Sequence, residues 1–350
     1  MVDPAEVVNR HGFHPLRVKA VVAETDDTSS IVLDVPADLR DAFGYRPGQF
    51  CTFRVRIGED ELARCYSMSS APETDADLTV TVKRVPGGAV SNWLLDHVAA
   101  GDVLDVTRPA GTFCTEPSER PIVGFCGGSG VTPLISIAKS TLETTTRPVA
   151  LLYANRSRSS VIFDDALGEL AARHADRFTV EHHIDADRGF LDAAAIAAFV
   201  DGRHDADFFI CGPAPFMDLV EGALHDLGVE PSAIAIERFS APPPAPADDR
   251  VDAGAGEVPE SIVLIVKGKK QKLPYTPGDT VLETARRANV ATPYSCEAGN
   301  CATCMGLVRE GTVSMRVNDA LEPDEVEDGW VLTCQSLPTS SSLTIEFDPR

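Results

Sequence analysis

The chain has 350 residues, 43% of them hydrophobic, with 53 acidic against 31 basic side chains and a net charge of −22. That length predicts two or three domains with sizeable cores, and so acidic a balance argues against nucleic acid or an anionic membrane as partner. The opening run MVDPAEVVNRHGFHPLRVKA lacks an apolar core of signal-peptide length, and no later stretch approaches the ~18 apolar residues of a membrane span, so a cytoplasmic protein without stable membrane association is expected.

Residues 12–118 read as a first domain. Short β-branched runs recur at 18–22, 30–35, 50–57, 78–85 and 103–106, broken by turn residues such as Arg46-Pro47-Gly48, the pattern of a small antiparallel barrel. Arg64-Cys65-Tyr66-Ser67 ends one further strand, whose alternation puts Arg64 and Tyr66 on one face and Ser67 at the exit. A guanidinium can grip a phosphate through paired hydrogen bonds, a phenol can lie against a flat ring such as an isoalloxazine, and a hydroxyl can bond a ring nitrogen. Read alone, the same four residues also fit an ordinary strand end with a core tyrosine. Gly87-Gly88-Ala89-Val90-Ser91 then reads as a glycine turn with Ser91 as the N-cap of a helix through Asn92–Leu95. Free amides and the positive dipole end at such a helix start suit a phosphate beside Val90 and Ser91.

From Arg120 strands and helices alternate, which predicts a parallel sheet over 119–239 with a nucleotide crevice at the carboxyl ends of its strands. The expected strands are 121–125, 149–153, 178–182 and 208–211, interleaved with helices such as 134–140, 166–174 and 217–227. In Cys126-Gly127-Gly128-Ser129-Gly130-Val131-Thr132-Pro133, the glycines let backbone approach a pyrophosphate or nicotinamide ribose as Thr132 and Pro133 open the helix. The run is not G-x-G-x-x-G, and a plain strand-to-helix turn fits it equally well. Cys211-Gly212-Pro213 ends the next such strand. A lone thiol there is commonly inert core, yet a place at the crevice lip makes Cys211 a candidate nicotinamide neighbour. Beyond 149–153 the run Ala154–Ser160 carries Arg156, Arg158 and several hydroxyls able to receive a 2′-phosphate, and no acidic residue to grip a bare ribose.

Residues 240–260, SAPPPAPADDRVDAGAGEVPE, have almost nothing to bury and read as a linker reaching at most ~65 Å if extended. Residues 261–350 form the third domain. Its balance is only −3, against −19 for residues 1–260, and its lysines 267, 269, 270 and 272 suit either a charged edge strand or an acidic partner's surface. Cys296, Cys301, Cys304 and Cys334 follow the C-x4-C-x2-C spacing with a distant fourth that marks plant-type [2Fe–2S] ferredoxins. Three thiolates within nine residues come from one tight loop, helped by small Gly299, Ala302 and Thr303. Structural zinc usually draws on two C-x2-C pairs, and only one is present. The other five of nine cysteines show no pairing pattern and read as reduced thiols. None of the nine has a histidine two residues on, so a Rieske centre is not expected and oxygen activation falls to a partner.

The runs RCYS, GGAVS, CGGSGVTP, CGPAPF and IERF, in that order, resemble the ferredoxin–NADP reductase superfamily. With the C-terminal cysteine motif, all 350 residues resemble oxygenase reductase components, most closely those of 3-ketosteroid 9α-hydroxylases, with phenylacetyl-CoA epoxidase reductases as near relatives. The resemblance implies a multidomain fold of an antiparallel β-barrel flavin domain, an α/β parallel-sheet nucleotide domain and an α+β (β-grasp) ferredoxin domain. It implies FAD held by Arg64, Tyr66 and Ser67 with its pyrophosphate over Val90 and Ser91. Nicotinamide is then expected between Thr132 and Cys211-Gly212, with Glu237 and Phe239 near the flavin, and Ser67, Cys211 and Glu237 closest to the chemistry. NADH is the implied donor, with NADPH the alternative through Arg156. The implied acceptor is a separate terminal oxygenase, a Rieske 3-ketosteroid 9α-hydroxylase; a di-iron epoxidase, a desaturase or a stand-alone diaphorase role are the alternatives. The parts agree chemically: a hydride carries two electrons, such a cluster accepts one, and a flavin handles either.

Overall fold

The computed structural model describes residues 13–58, 60–239, 258–294, 299, 304–318, 321 and 323–347. They fall into two units, His14–Phe239 and a second containing the described residues beyond it. Most of the predicted linker, 240–257, lies outside the described residues.

The first unit begins with β1 (Phe13–Thr25), β2 (Thr28–Asp34), β3 (Phe50–Ile57), β4 (Asp60–Ser67), β5 (Leu78–Lys83), helix α1 (Ala89–His97) and β6 (Val103–Thr107). The strands run in the order β4-β3-β6-β1-β2-β5. The two edges, β4 and β5, meet again through an antiparallel bridge between Met68 and Val80, which closes the sheet into a barrel. Inward residues of alternating strands, among them Leu16, Val18, Ile31, Leu33, Phe53, Val80 and Val106, fill it, and α1 inserts Val90 and Leu94 into the same core. The predicted strand at 18–22 is the middle of a longer one; its hairpin pairing with β2 extends regular structure to residues too polar to signal it.

The same unit continues with β7 (Ile122–Gly127), α2 (Val131–Thr144), β8 (Val149–Asn155), α3 (Asp164–Arg173), β9 (Phe178–Ile184), α4 (Asp185–Arg188), α5 (Ala193–Val200), β10 (Asp207–Cys211), α6 (Ala214–Asp226) and β11 (Ile234–Glu237). The strand order is β11-β10-β7-β8-β9, every neighbouring pair parallel. Every residue of β7 and β8 is buried, as befits central strands covered on both faces. From β7 the chain winds outward through β8 and β9, then returns to the other side of β7 to lay down β10 and β11. The winding therefore reverses between β7 and β10, and a crevice opens there beyond their carboxyl ends. The sheet is docked on the barrel through Ser136 Oγ, which donates to the Ser70 carbonyl at 2.6 Å, and Lys139 Nζ, 3.2 Å from Asp75.

The second unit holds β12 (Ser261–Val266), β13 (Lys269–Pro274), α7 (Val281–Arg287), β14 (Met305–Glu310), β15 (Val313–Met315), α8 (Pro323–Glu327), β16 (Trp330–Leu332), β17 (Ser336–Pro338) and β18 (Thr344–Glu346). Its sheet has the order β13-β12-β18-β14-β16, with β12 and β18 parallel and the other pairs antiparallel. A reciprocal Thr280–Glu283 capping box starts α7, whose Val281 and Ala285 join Ile262, Leu264 and Ile345 in the core. Lys269, Lys270 and Lys272 stand exposed on β13, an edge of that sheet.

At the amino ends of the parallel sheet, opposite the crevice, Arg147 is 4% exposed; it pairs with Asp207 at the start of β10 and donates to the Arg120 carbonyl. Removing one partner of such a pair strands the other charge. Arg147→Ala is therefore expected to lower stability by about 2 kcal/mol in a urea titration, discounted because Asp207 keeps some water.

Candidate functional site

Backbone meets backbone at the switch point. A methyl placed on Gly130 would lie 2.0 Å from the Cys211 carbonyl oxygen, one on Gly127 would lie 2.9 Å from the Pro213 ring, and one on Gly212 would lie 3.0 Å from the Gly127 nitrogen. These glycines thus serve close approach of two strand exits. Gly128 adopts the left-handed conformation at φ 54°. Its carbonyl accepts the Tyr153 hydroxyl at 3.0 Å, and that oxygen in turn accepts the Ile162 amide at 3.1 Å, so a buried tyrosine pins the glycine loop to the next strand's exit. Thr132, buried at the first turn of α2, donates to the Ser129 carbonyl at 3.0 Å, and Pro133 follows it in the helix. The bare backbone here suits a dinucleotide's close approach.

The barrel contributes the exit of β4. Ser67 is 2% exposed, and its Oγ donates to Oε2 of Glu237 at 2.9 Å across 170 residues of sequence. Glu237 ends β11 in register with Cys211, which in turn is level with Cys126 on β7. Ser67, Glu237, Cys211 and Gly130 therefore form one continuous group. Burial pushes the Glu237 carboxyl up to about 8, with the Ser67 hydrogen bond pulling the other way. Burial holds the Cys211 thiol well above its ordinary value, with Glu237 and Cys126 adding to it. At 0% exposure Cys211 keeps its thiol protonated within the sheet. Arg64 and Tyr66 share one face of β4, opposite Phe53 and Cys51, and Tyr66 packs edge-on against the Phe53 ring at 5.6 Å.

The reading of Ser91 as an N-cap is corrected. Gly88, extended at φ −70° and ψ 123°, holds that position, and Ser91 falls inside the helix. Its Oγ accepts from the Val85 amide at 3.3 Å, tying the helix back to the preceding turn. Val90 and Ser91 nevertheless sit buried in the first turn, where free amides remain available to a phosphate. Phe239 is 42% exposed at the end of the unit. Arg156 lies beyond the exit of β8, its guanidinium 3.9 Å from Asp27 of the β1–β2 turn. Sequence reasoning missed Asp164, which pairs with Arg158 at 2.9 Å. A left-handed Phe163, φ 62°, turns the chain so that this first residue of α3 faces back along the loop.

In the second unit Cys304 precedes β14 and Cys334 follows β16; these strands pair with Met305 opposite Leu332. Both cysteines are buried in one cluster with Leu282, Leu321 and Leu332. Thr333 ties the segments together, its amide and hydroxyl both donating to the Cys304 carbonyl. Gly299 is left-handed at φ 85°, and a side chain there would lie 2.9 Å from the Val317 carbonyl. Two thiols in a low-dielectric pocket beside a tight glycine turn fit an iron–sulfur centre. Cys296 and Cys301 lie outside the described residues.

Comparison with known proteins gives the same three parts. Residues 15–114 match the oxidoreductase FAD-binding domain, 125–222 the oxidoreductase NAD-binding domain and 264–339 the 2Fe-2S iron-sulfur cluster binding domain. The ferredoxin reductase component of 3-ketosteroid-9-alpha-monooxygenase from Rhodococcus rhodochrous is 40% identical over 345 residues, covering 95% of this chain and 96% of that protein. One component of the 1,2-phenylacetyl-CoA epoxidase of Escherichia coli strain K12 is 33% identical over 356 residues, covering 97% and 98%. Among solved structures, phthalate dioxygenase reductase, described as a modular structure for electron transfer from pyridine nucleotides to [2Fe-2S], aligns with a TM-score of 0.61 at 22% identity over 96% of this chain and 98% of that one. The fold and its sites define an oxidoreductase with FAD-binding, NAD-binding and [2Fe–2S] domains in a single chain. It belongs to the family of reductase components of multicomponent monooxygenases. No helix among the described residues is long and apolar enough to cross a membrane.

The raised Glu237 value sets a pH dependence. Between its ordinary 4.5 and about 8 the folded chain keeps a proton that the unfolded chain has released. Stability from this group is accordingly greatest at low pH, falls as pH rises through that window and levels above it. Glu237→Gln is expected to flatten this component of the Tm profile between about pH 5 and 8, measured by thermal melts of both proteins.

Proposed function

We propose that this protein takes a hydride from NADH at the β7–β10 switch point and passes electrons singly, through FAD and then a [2Fe–2S] cluster, to a separate terminal oxygenase acting on a steroid ring system in the cytoplasm. The observation that carries this is the convergence of Ser67, Glu237, Cys211 and Gly130 at the β7–β10 switch point, in a chain that also brings Cys304 and Cys334 into one buried cluster. Full-length identity of 40% to ketosteroid monooxygenase reductases favours a Rieske-type steroid hydroxylase as acceptor. The 33% match to an epoxidase component, also full length, keeps a di-iron epoxidase as the second reading. Domains at 12–118, 119–239 and 261–350 joined by the 240–260 linker belong to the same proposal.

When bound, the flavin supplies the step between a two-electron donor and a one-electron cluster. In this reading Arg64 grips its phosphate, Tyr66 walls the ring, Ser67 reaches a ring nitrogen, and the first turn of α1 at Val90 and Ser91 receives the pyrophosphate. Thr132, Pro133, Gly127, Gly128 and Gly130 on one side and Cys211, Gly212 and Pro213 on the other frame the nicotinamide, with Phe239 nearby. Glu237 holds a proton up to about pH 8 and accepts from Ser67 Oγ, so the pair can adjust the proton at that hydroxyl without exposing it to water. The protonated Cys211 acts as a wall rather than a nucleophile. Cys296, Cys301, Cys304 and Cys334 are the proposed iron ligands.

Arg64→Ala is expected to weaken flavin binding roughly ten- to a hundredfold, the loss of a charge-assisted bond worth about 1.5–3 kcal/mol, read by fluorescence titration of the apoprotein. Full flavin affinity in that variant would refute the barrel-site assignment. Cys304→Ser is expected to lose the cluster's iron and sulfide while keeping flavin and NADH-dependent ferricyanide reduction. Stopped-flow mixing of prereduced protein with oxidised oxygenase tests the function: the proposal fails if the wild type transfers no faster than Cys304→Ser.

A further inference from the structure

In a doubly wound sheet the residues just beyond the second strand face the adenosine ribose, where an acidic side chain accepts the 2′-hydroxyl or an arginine receives a 2′-phosphate. Here both arginines of that loop already face carboxylates. Arg158 pairs with Asp164 at 2.9 Å, and Arg156 lies 3.9 Å from Asp27. The first contact is close and local; the second is long, and Asp27 also accepts from Thr25 and Thr28 and lies 3.4 Å from Lys83. Asp164 is further framed by His182, whose Nε2 lies 3.8 Å away. Burial and Arg158 lower the His182 pKa against the raising effect of Asp164, so His182 adds little to the positive charge that Arg158 already sets against Asp164.

We propose that Asp164 determines the choice of nucleotide: its carboxylate occupies Arg158 and sets negative charge beside the ribose position, so NADPH meets repulsion where it would need a free guanidinium. The inference rests on the NADH reading above and names the residue that enforces it. Asp164 also sits in the first turn of α3, where any carboxylate complements the helix dipole. That role is shared by the exposed Asp165 next to it, which makes Asp165 the control.

The test compares kcat/KM for NADH and NADPH in the flavin-loaded protein with ferricyanide as acceptor. Asp164→Asn is expected to raise NADPH use relative to NADH about five- to tenfold, the scale of a partly exposed charge pair combined with relief of like-charge repulsion. Asp164→Ser gives a second reading of the same ratio, and Asp165→Asn leaves it at the wild-type value. Adding Arg158→Gln to Asp164→Asn removes the gain, and the gain shrinks as salt rises because the pair is solvent-accessible. A wild type that prefers NADH, with both Asp164 variants at the same ratio, overturns the proposal and leaves the NADH reading standing. A shift in Asp165→Asn equal to that in Asp164→Asn overturns it as well. A wild type that prefers NADPH sinks the NADH reading and Asp164's role together.

Discussion

The organisation of the first unit depends on one steric constraint, the contact of two backbone segments where β7 and β10 leave the sheet. Gly130 lies so close to the Cys211 carbonyl that no side chain fits between them. That contact aligns β10, which carries β11 beside it in register and so delivers Glu237 to Ser67 of the barrel. A substituent at Gly130 would not merely crowd a ligand. It would part the strands whose alignment joins the barrel to the parallel sheet.

Much of this is legible in the sequence, for reasons that differ from element to element. The parallel sheet announces itself because its central strands are apolar throughout, and a strand buried on both faces leaves little ambiguity. The glycine run after β7 and the single Gly212 after β10 mark the switch point because close backbone approach calls for glycine at both strand exits. The Ser67–Glu237 bond cannot be read from composition or spacing; 170 residues separate the pair, and only resemblance to a known superfamily places them together.

The misreadings share a cause. Ser91 reads as an N-cap because serine favours that position, but the extended Gly88 already meets the backbone requirement and leaves the hydroxyl to bond Val85. Cys211 reads as a candidate for reactive chemistry because it ends a strand, yet its thiol is buried among the same core residues as Cys126, which leaves it a packing role at that strand end. Asp164 gives no signal in sequence because a short helical turn and a left-handed phenylalanine fold the loop back on itself. Local preference names what a residue can do, and the path of the backbone decides which of those things it does.

The bridge that closes the barrel has a further consequence. It is made by Met68, the residue directly after Ser67 at the end of β4, so the seam of the barrel and the hydroxyl that bonds Glu237 are neighbouring links of the chain. A breathing motion that unzips β4 from β5 must disturb Ser67 as well. With FAD seated against Ser67 as proposed, its escape and the opening of the barrel wall are coupled, and the bound flavin acts as a clasp on the seam, raising the free energy of that local opening toward that of the whole unit.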